Sequence, residues 1–169
     1  IIPNGSTRLI ADDVVYIIGR SKSIEALGDR LKINVGRKTI KRVMIIGGGN
    51  IAFYLAKQLS DSNHSVIIVE QDKERCRYLS EKLRHTLVIQ GDGTDINLLE
   101  EENISEMDAF IGATGFDEQN ILMSLMAKQA GASKAIAKIS RPSYVNLINK
   151  LGIDVALNPI NITASDILK

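Results

Sequence analysis

Tryptophan is absent from the 169 residues, cysteine occurs once, proline three times and histidine twice. The lone Cys76 excludes an intrachain disulfide and points to a reducing, cytosolic setting. His64 and His85 stand apart, with no cysteine cluster beside them, so no metal-ligand spacing is formed. Neither sign of charge is in excess: 21 basic residues face 20 acidic ones, a net charge of +1. A protein that tracks nucleic-acid phosphates needs a basic surplus, so nucleic acid is not the expected partner. No apolar run approaches the ~20 residues that span a bilayer, and no basic stretch with an apolar core opens the chain as a signal peptide would. What remains is a mix of 44% hydrophobic and 24% charged residues, typical of a globular protein with a core. The length fits one ordinary domain plus an appendage. The abrupt start at Ile1-Ile2-Pro3-Asn4-Gly5, without an initiator methionine, reads as a piece of something longer.

Two regimes follow along the chain. Residues 1–20 read as β-structure: turn signals at Pro3-Asn4-Gly5 and Ala11-Asp12-Asp13 separate a short strand over 6–10 from the β-branched run 14–18. Residues 21–41 read as a linker, with Ser23 expected to cap a short helix through Leu31. From residue 42 to 169 strand and helix alternate. The apolar runs are 43–46, 66–69, 87–89, 109–111, 135–139 and 153–157. Between them lie expected helices over 51–59, 73–83, 97–103, 118–130 and 143–151. Ile51, Leu55 and Leu59 are expected to share the inner face of the first. Cys76, Leu79 and Leu83 are expected inside on the second. Ile121, Leu122, Leu125 and Met126 form the expected apolar side of the fourth. Continuous apolar strands imply burial on both faces, as in a parallel sheet covered by helices. Right-handed crossovers then give an α/β doubly wound sheet of Rossmann type, with strand order 3-2-1-4-5-6, preceded by the short β-rich remnant of a second, smaller domain.

The first run ends in Gly47-Gly48-Gly49-Asn50-Ile51-Ala52, which fits G-x-G-x-x-A between a strand and a helix. Gly47 permits the tight turn, Gly49 lets a pyrophosphate approach the backbone, and Ala52 lets the helix pack close to the sheet. The free amides of Asn50 and Ile51, at the positive end of the helix, are the natural phosphate donors. No Gly-Lys-Ser/Thr follows, so this is not a Walker A loop. Glu70 ends the second run about 20 residues beyond Gly47, where a carboxylate would take both ribose hydroxyls. It would repel a 2′-phosphate and so favour NAD over NADP, although Lys73 and Arg75 lie nearby. Glu70 equally reads as a solvated acid ahead of a helix that Asp72 caps. Gln71 adjoins it. Asp92, with Gly91 and Gly93, ends the third run, as an acceptor for an adenine amino group or as a plain turn former. Thr114 and Gly115 end the fourth run at the switch point, where the second half of a dinucleotide would lie. Lys138 and Arg141 follow the fifth, as phosphate counter-charges or as solvated cations.

Taken together, Ile45-Ile46-Gly47-Gly48-Gly49-Asn50-Ile51-Ala52, Val69-Glu70-Gln71-Asp72, Gly91-Asp92-Gly93-Thr94-Asp95 and Asp117-Glu118-Gln119-Asn120-Ile121 resemble the TrkA family over about residues 40–165. The Gly-Asp-Gly-Thr-Asp segment and the Thr114, Asp117, Asn120 spacing make the resemblance specific. The family comprises cytosolic regulatory subunits of bacterial potassium uptake, built on a nucleotide-binding module known as the KTN or RCK N-terminal domain. The resemblance implies binding of NAD(H), or of ATP and ADP, with Gly47, Gly49 and Glu70 as contacts and with Asp92 and Lys138 favoured. It implies dimerisation through the nucleotide domains and a response passed to a membrane-embedded potassium channel or transporter subunit. It implies a place at the inner face of the cell membrane, without insertion into it. Residues 1–20, with Ser6-Thr7-Arg8-Leu9 and Asp13 to Gly19, look like the closing strands of a preceding RCK C-terminal domain. Ala52 replaces a glycine that many members carry, a small-for-small exchange.

The alternative is a fragment of an NAD-dependent oxidoreductase. No histidine or Lys-Tyr pair stands where it could move a proton beside a nicotinamide, and Tyr144 and Lys150 do not share a helix face. A nucleotide-binding scaffold with no link to potassium remains compatible with the fold.

Overall fold

The structure is a computed structural model and describes residues 8, 10, 21–30 and 40–160. The chain divides into two compact units, 1–37 and 38–169. Apart from residues 8 and 10, the expected strands of the first twenty residues lie outside the described part. In the first unit helix α1 runs Ser21–Arg30. Ser23 therefore sits within its first turn instead of capping it. Serine is tolerated there, and nothing in Ser21-Lys22-Ser23 breaks a helix.

The second unit is a parallel sheet of six strands in the order 3-2-1-4-5-6. Its elements are β1 Arg42–Ile46, α2 Asn50–Asp61, β2 Ser65–Glu70, α3 Lys73–Lys82, β3 Thr86–Gln90, α4 Ile96–Glu101, β4 Ala109–Gly112, α5 Asp117–Gln129, β5 Ala135–Lys138, α6 Val145–Leu151 and β6 Val155–Leu157. Pairing aligns the carboxyl ends: Ile46 lies beside Val69 and Gly112, and Glu70 beside Gln90. The ladder continues past the strands, from Gly47 N–H to Val69 O at 2.8 Å and from Ala113 N–H to Ile46 O at 2.8 Å. These bonds fix where the loops after β1 and β4 leave the sheet.

Alternate side chains of each central strand feed two cores. Val43, Ile45, Val66 and Ile68 meet Ala52 and Ala56 of α2 and Leu79 of α3 on one face. Met44, Ile46, Val69 and Phe110 meet Leu99, Ile104, Met123 and Ala127 on the other. A third cluster ties β5 to Ile148 of α6. Burial of a large side chain such as Phe110 contributes about 1.5–3 kcal/mol. Leu87 of β3 is 55% exposed. As an edge strand, β3 is covered less completely than its apolar run suggests.

Two helix faces differ from expectation. On α2 the innermost residues are Ala52 and Ala56, each 0% exposed, while Ile51 is 45% exposed. Phe53, Leu55 and Leu59 pack around that alanine stripe. The positions of α2 that face the sheet most directly are thus held by alanine. On α5 the buried positions are Asp117, Asn120, Met123, Ser124 and Ala127. Leu122 is exposed, and Ile121 and Leu125 are half-buried against the third cluster. Asn120 and Ser124 can face inward because they bond to strand ends, Asn120 Nδ2 to Lys138 O at 2.9 Å and Ser124 Oγ to Ile136 O at 3.3 Å. Among the described residues no helix is long and apolar enough to cross a membrane.

Enlarging Ala56 to leucine should lower stability by about 1–3 kcal/mol through overpacking, whereas Leu122→Ala should change it by less than about 0.5 kcal/mol. Urea denaturation with an unchanged slope checks both. Equal losses would put Leu122, not Ala56, in the core.

Candidate functional site: a cleft at the carboxyl ends of the strands

A cleft of about 410 Å³ opens above the carboxyl ends of β1 to β5. It brings together Gly47 and Gly49 after β1, Glu70 and Gln71 after β2, Asp92 and Gly93 after β3, Thr114 and Gly115 after β4, and Lys138 of β5. Asn50 and Ile51 lie on the adjoining first turn of α2. Neither lines the cleft, and the Ile51 side chain is 45% exposed, so the contribution open to Ile51 is through its backbone amide.

The three loop glycines differ in what requires them. Gly47 has φ of +95°, and a Cβ there would lie 3.0 Å from the Thr114 backbone. Both facts demand glycine. A Cβ on Gly48 would lie 2.6 Å from Leu79 Cδ1 and 3.0 Å from Glu70 Oε2. At Gly49 the backbone is extended, with φ −63° and ψ −175°, and a Cβ would meet nothing within 4 Å. Neither conformation nor packing requires glycine there.

Gly49 is the N-cap of α2, and no side chain caps the helix. Its first intrahelical bond runs from Phe53 N–H to Gly49 O at 3.0 Å. The earlier first-turn amides are therefore left for an outside acceptor, at the positive end of the helix. By contrast, Asp72 caps α3 by accepting from Arg75 N–H at 2.6 Å, and Asp95 caps α4 by accepting from Asn97 N–H at 3.0 Å.

Glu70 is held by two backbone amides, Gly48 N–H to Oε2 at 2.5 Å and Asp72 N–H to Oε1 at 2.9 Å. A carboxylate has about four acceptor sites, so two remain for hydroxyl donors. Asp92 Oδ1 accepts from Thr94 N–H and Thr94 Oγ, each at 2.8 Å. The Thr94 amide, then its hydroxyl, and more weakly the Gln71 side chain hold the Asp92 carboxyl below its ordinary value. Asp92 therefore stays an anionic acceptor. Cys76 lies behind Glu70 with its thiol pushed up by burial and by the charges of Glu70 and Asp72, so it stays protonated.

The far wall is laced from inside. Asn120, 0% exposed, accepts through Oδ1 from Thr114 N–H at 2.9 Å and Thr114 Oγ at 2.8 Å. Its Nδ2 donates to Thr114 O at 3.2 Å as well as to Lys138 O. Asp117 accepts from Ser140 N–H and Arg141 N–H, each at 2.9 Å. Burial pushes the Asp117 carboxyl up, but the Ser140 and Arg141 amides and the Arg141 charge outweigh it and hold the group below its usual value. The spacing of Thr114, Asp117 and Asn120 is thus a device that fixes the ends of β4 and β5. Arg141 is turned elsewhere, to Glu118 at 2.8 Å and the Tyr144 hydroxyl at 3.1 Å, and does not line the cleft.

Sequence reasoning missed three features. Phe116, 65% exposed, and Gln119 line the cleft beside Thr114. Exposed residues at a helix start carry no periodic signal, so Phe116 was not flagged and Gln119 entered only as part of the quoted Asp117–Ile121 segment. Arg75, weighed only as a nearby charge, donates from Nε to Gly48 O at 2.6 Å. No group of acidic, histidine or cysteine side chains suited to a metal ion occurs among the described residues.

Residues 43–159 match the family model described as TrkA-N domain. The chain is 41% identical over 170 aligned positions to Trk system potassium uptake protein trkA homolog 1 of Methanosarcina mazei, covering all of this chain and 41% of that one. It is similar in structure to the TrkA-N domain of the inner membrane protein ybaL from Escherichia coli, with a TM-score of 0.68 at 15% identity, covering 76% of this chain and 95% of that one. It is also similar to the GsuK channel bound to NAD, with a TM-score of 0.62 at 21% identity, covering 81% of this chain and 25% of that one. At these identities the two structures show the shared fold. The chain spans about two fifths of the length of the curated relatives it matches.

The Asp117 bonds carry a pH signature. Its folded value lies below the ordinary 3.8, so its contribution is present above that pH and is lost as pH falls through the folded value. Asp117→Asn should lower the melting temperature at pH 7 and flatten its decline from pH 5 towards 2. Parallel wild-type and variant curves would show that Asp117 does not carry this term.

Proposed function

This chain belongs to the TrkA-N domain family, and from that premise we propose that its cleft binds NAD(H), or ATP or ADP in its place, as a non-catalytic sensor in a potassium uptake system. The observation that carries the reading is Gly49. Gly47 is a glycine because its positive φ and the nearby Thr114 backbone demand one, and at Gly48 a Cβ would press on the side chains of Leu79 and Glu70. Gly49 faces open space at an uncapped helix start. A glycine kept bare with no internal reason suits close approach by a diphosphate, which the helix dipole and free amides then hold.

The other expected contacts suit the rest of such a ligand. Glu70 has acceptor capacity for two ribose hydroxyls, and Asp92 for an exocyclic adenine amine. Thr114, Gly115 and Lys138 face the second half. The GsuK structures, similar in fold, are named with NAD and with ADP bound. The ionisable side chains of the described lining are Glu70, Asp92 and Lys138, each of which the nucleotide reading uses as a binding contact. A distant fold neighbour, the enzyme WbmG in complex with NAD, keeps the oxidoreductase reading as the alternative.

The potassium link rests on the relatives, named Trk system potassium uptake proteins at 41–43% identity. The partner would be a membrane-embedded channel or transporter subunit, the site of action the inner face of the membrane, and the working unit a dimer of nucleotide domains. Ligand binding would act by favouring one arrangement of the paired domains, which requires different affinities for the two arrangements. Residues 1–20 would close a preceding smaller RCK domain and 21–41 would link it to the nucleotide domain.

A thermal-shift panel of NAD, NADH, NADP, ATP and ADP tests the reading. A ligand at ~100 times its dissociation constant adds about 2.7 kcal/mol. NAD or NADH should stabilise more than NADP, and Glu70→Ala should weaken NAD more than NADP. Stabilisation by none of the five, or a larger loss for NADP, would contradict the assignment. Nicotinamide absorbance changing with an added substrate would favour the oxidoreductase.

A further inference from the structure

Arg75 is the cation nearest the turn where the second strand's carboxylate meets the glycine loop. Two roles are open to a cation at that place. It could be a counter-charge for a ribose 2′-phosphate, or part of the loop's own support. We propose that Arg75 is a positioning residue that aims the Gly49 amide at the ligand's diphosphate, by gripping the Gly48 carbonyl while Glu70 holds the Gly48 N–H. The proposal rests on the nucleotide-binding reading above.

Gly48 is held at both of its backbone polar groups. Its N–H donates to Glu70 Oε2 at 2.5 Å, and its C=O accepts from Arg75 Nε at 2.6 Å. These two groups belong to successive peptide planes, so the pair of bonds fixes both torsions of a residue that has no side chain to restrict it. The second plane also contains the Gly49 N–H. In a planar trans peptide the C=O and the following N–H point in opposite directions. Holding the Gly48 carbonyl towards Arg75 therefore turns the Gly49 N–H away from it. No protein acceptor among the described residues takes that N–H.

The guanidinium is itself fixed. The Arg75 backbone amide is the one that Asp72 caps. Its guanidinium carbon lies 4.9 Å from the centre of the Tyr78 ring, and Nη2 lies 3.5 Å from Asn50 Oδ1. With Nε committed and the guanidinium over a ring, the group is held beside the glycine loop, outside the lining of the cleft. Charge-assisted bonds of this kind are about twice as strong as neutral ones, which suits a support for a loop that must stay open without a ligand.

The test compares Arg75→Met and Arg75→Lys with the parent protein, and uses Arg77→Met as control. Arg77 is exposed and, among the described residues, pairs with Glu74 of its own helix at 3.4 Å. Affinities for NAD, NADP, ADP and adenosine are measured, together with amide hydrogen exchange of Gly48 in the ligand-free protein. Arg75→Met should weaken NAD, NADP and ADP by a similar factor, about tenfold for one charge-assisted bond, and leave adenosine unchanged. The Gly48 amide should exchange about tenfold faster, the lysine variant should recover most of both effects, and the control should match the parent. An equal loss for adenosine would mean general damage to the domain. A larger loss for NADP than for NAD would make Arg75 a 2′-phosphate counter-charge. Either outcome, or unchanged exchange at Gly48, overturns the proposal. Should the parent bind none of the four ligands, the binding reading fails, and the exchange measurement alone decides whether Arg75 holds the loop.

Discussion

The first turn of α2 begins with backbone amides that no side chain caps, and the architecture of the site follows from keeping them so. An uncapped helix start leaves unsatisfied donors and a partial positive charge. Natural helices usually answer this with serine, threonine, aspartate or asparagine at the N-cap. This chain does so on α3 with Asp72 and on α4 with Asp95, yet places a glycine before α2. Helices α5 and α6 also begin without a side-chain cap, after Phe116 and Tyr144, but of these three only α2 begins after a glycine. Around it the loop is otherwise tightly determined: Gly47 by its positive φ and the nearby Thr114 backbone, Gly48 by Leu79 and the Glu70 carboxylate.

The two walls of the cleft are stabilised by different chemistry. On the β2–β3 side, carboxylates sit at strand ends and are oriented by backbone amides, so they keep lone pairs for an incoming donor. On the β4–β5 side, buried side chains of α5 reach into the sheet. Asn120 and Asp117 satisfy strand-end groups that would otherwise be orphaned, and this holds Thr114 and Lys138 at the cleft. Helix α5 thereby takes polar groups on its inner face and leaves Leu122 outside. A movement of α5 against the sheet would have to break these bonds together, which makes that wall a unit.

Much of this was legible before the fold was known. The apolar runs 43–46 and 66–69 became central strands, and the six-strand order follows from right-handed crossovers. The cleft gathers the residues expected at the strand ends, Arg141 excepted, because topology, more than local sequence, puts carboxyl termini on one side. What was illegible shares one cause. Periodicity assumes that large apolar side chains point in and polar ones out. On α2 small apolar residues take the inner positions, so Ala52 and Ala56 lie inside and Ile51 outside. Helix α5 buries an asparagine and a serine because strand ends offer them partners. Arg75 looked like no more than a nearby charge, since no pattern reveals that a carbonyl 27 residues earlier, at Gly48, would take its Nε. Residues 1–20 and 161–169 carry expectations that lie almost wholly outside the described part.

The central claim is that Gly49 is bare for a ligand's sake and not for the fold's. One variant separates the two. Gly49→Ala adds a methyl group where the protein itself has nothing within 4 Å and where the backbone suits any residue. Unfolding and NAD affinity should be measured on the same preparation. The account predicts a stability within about 0.5 kcal/mol of the parent, because a cap change and the unfolded-state gain nearly offset, and NAD binding at least about tenfold weaker. Unchanged affinity, or lost affinity that merely tracks lost stability, would contradict it.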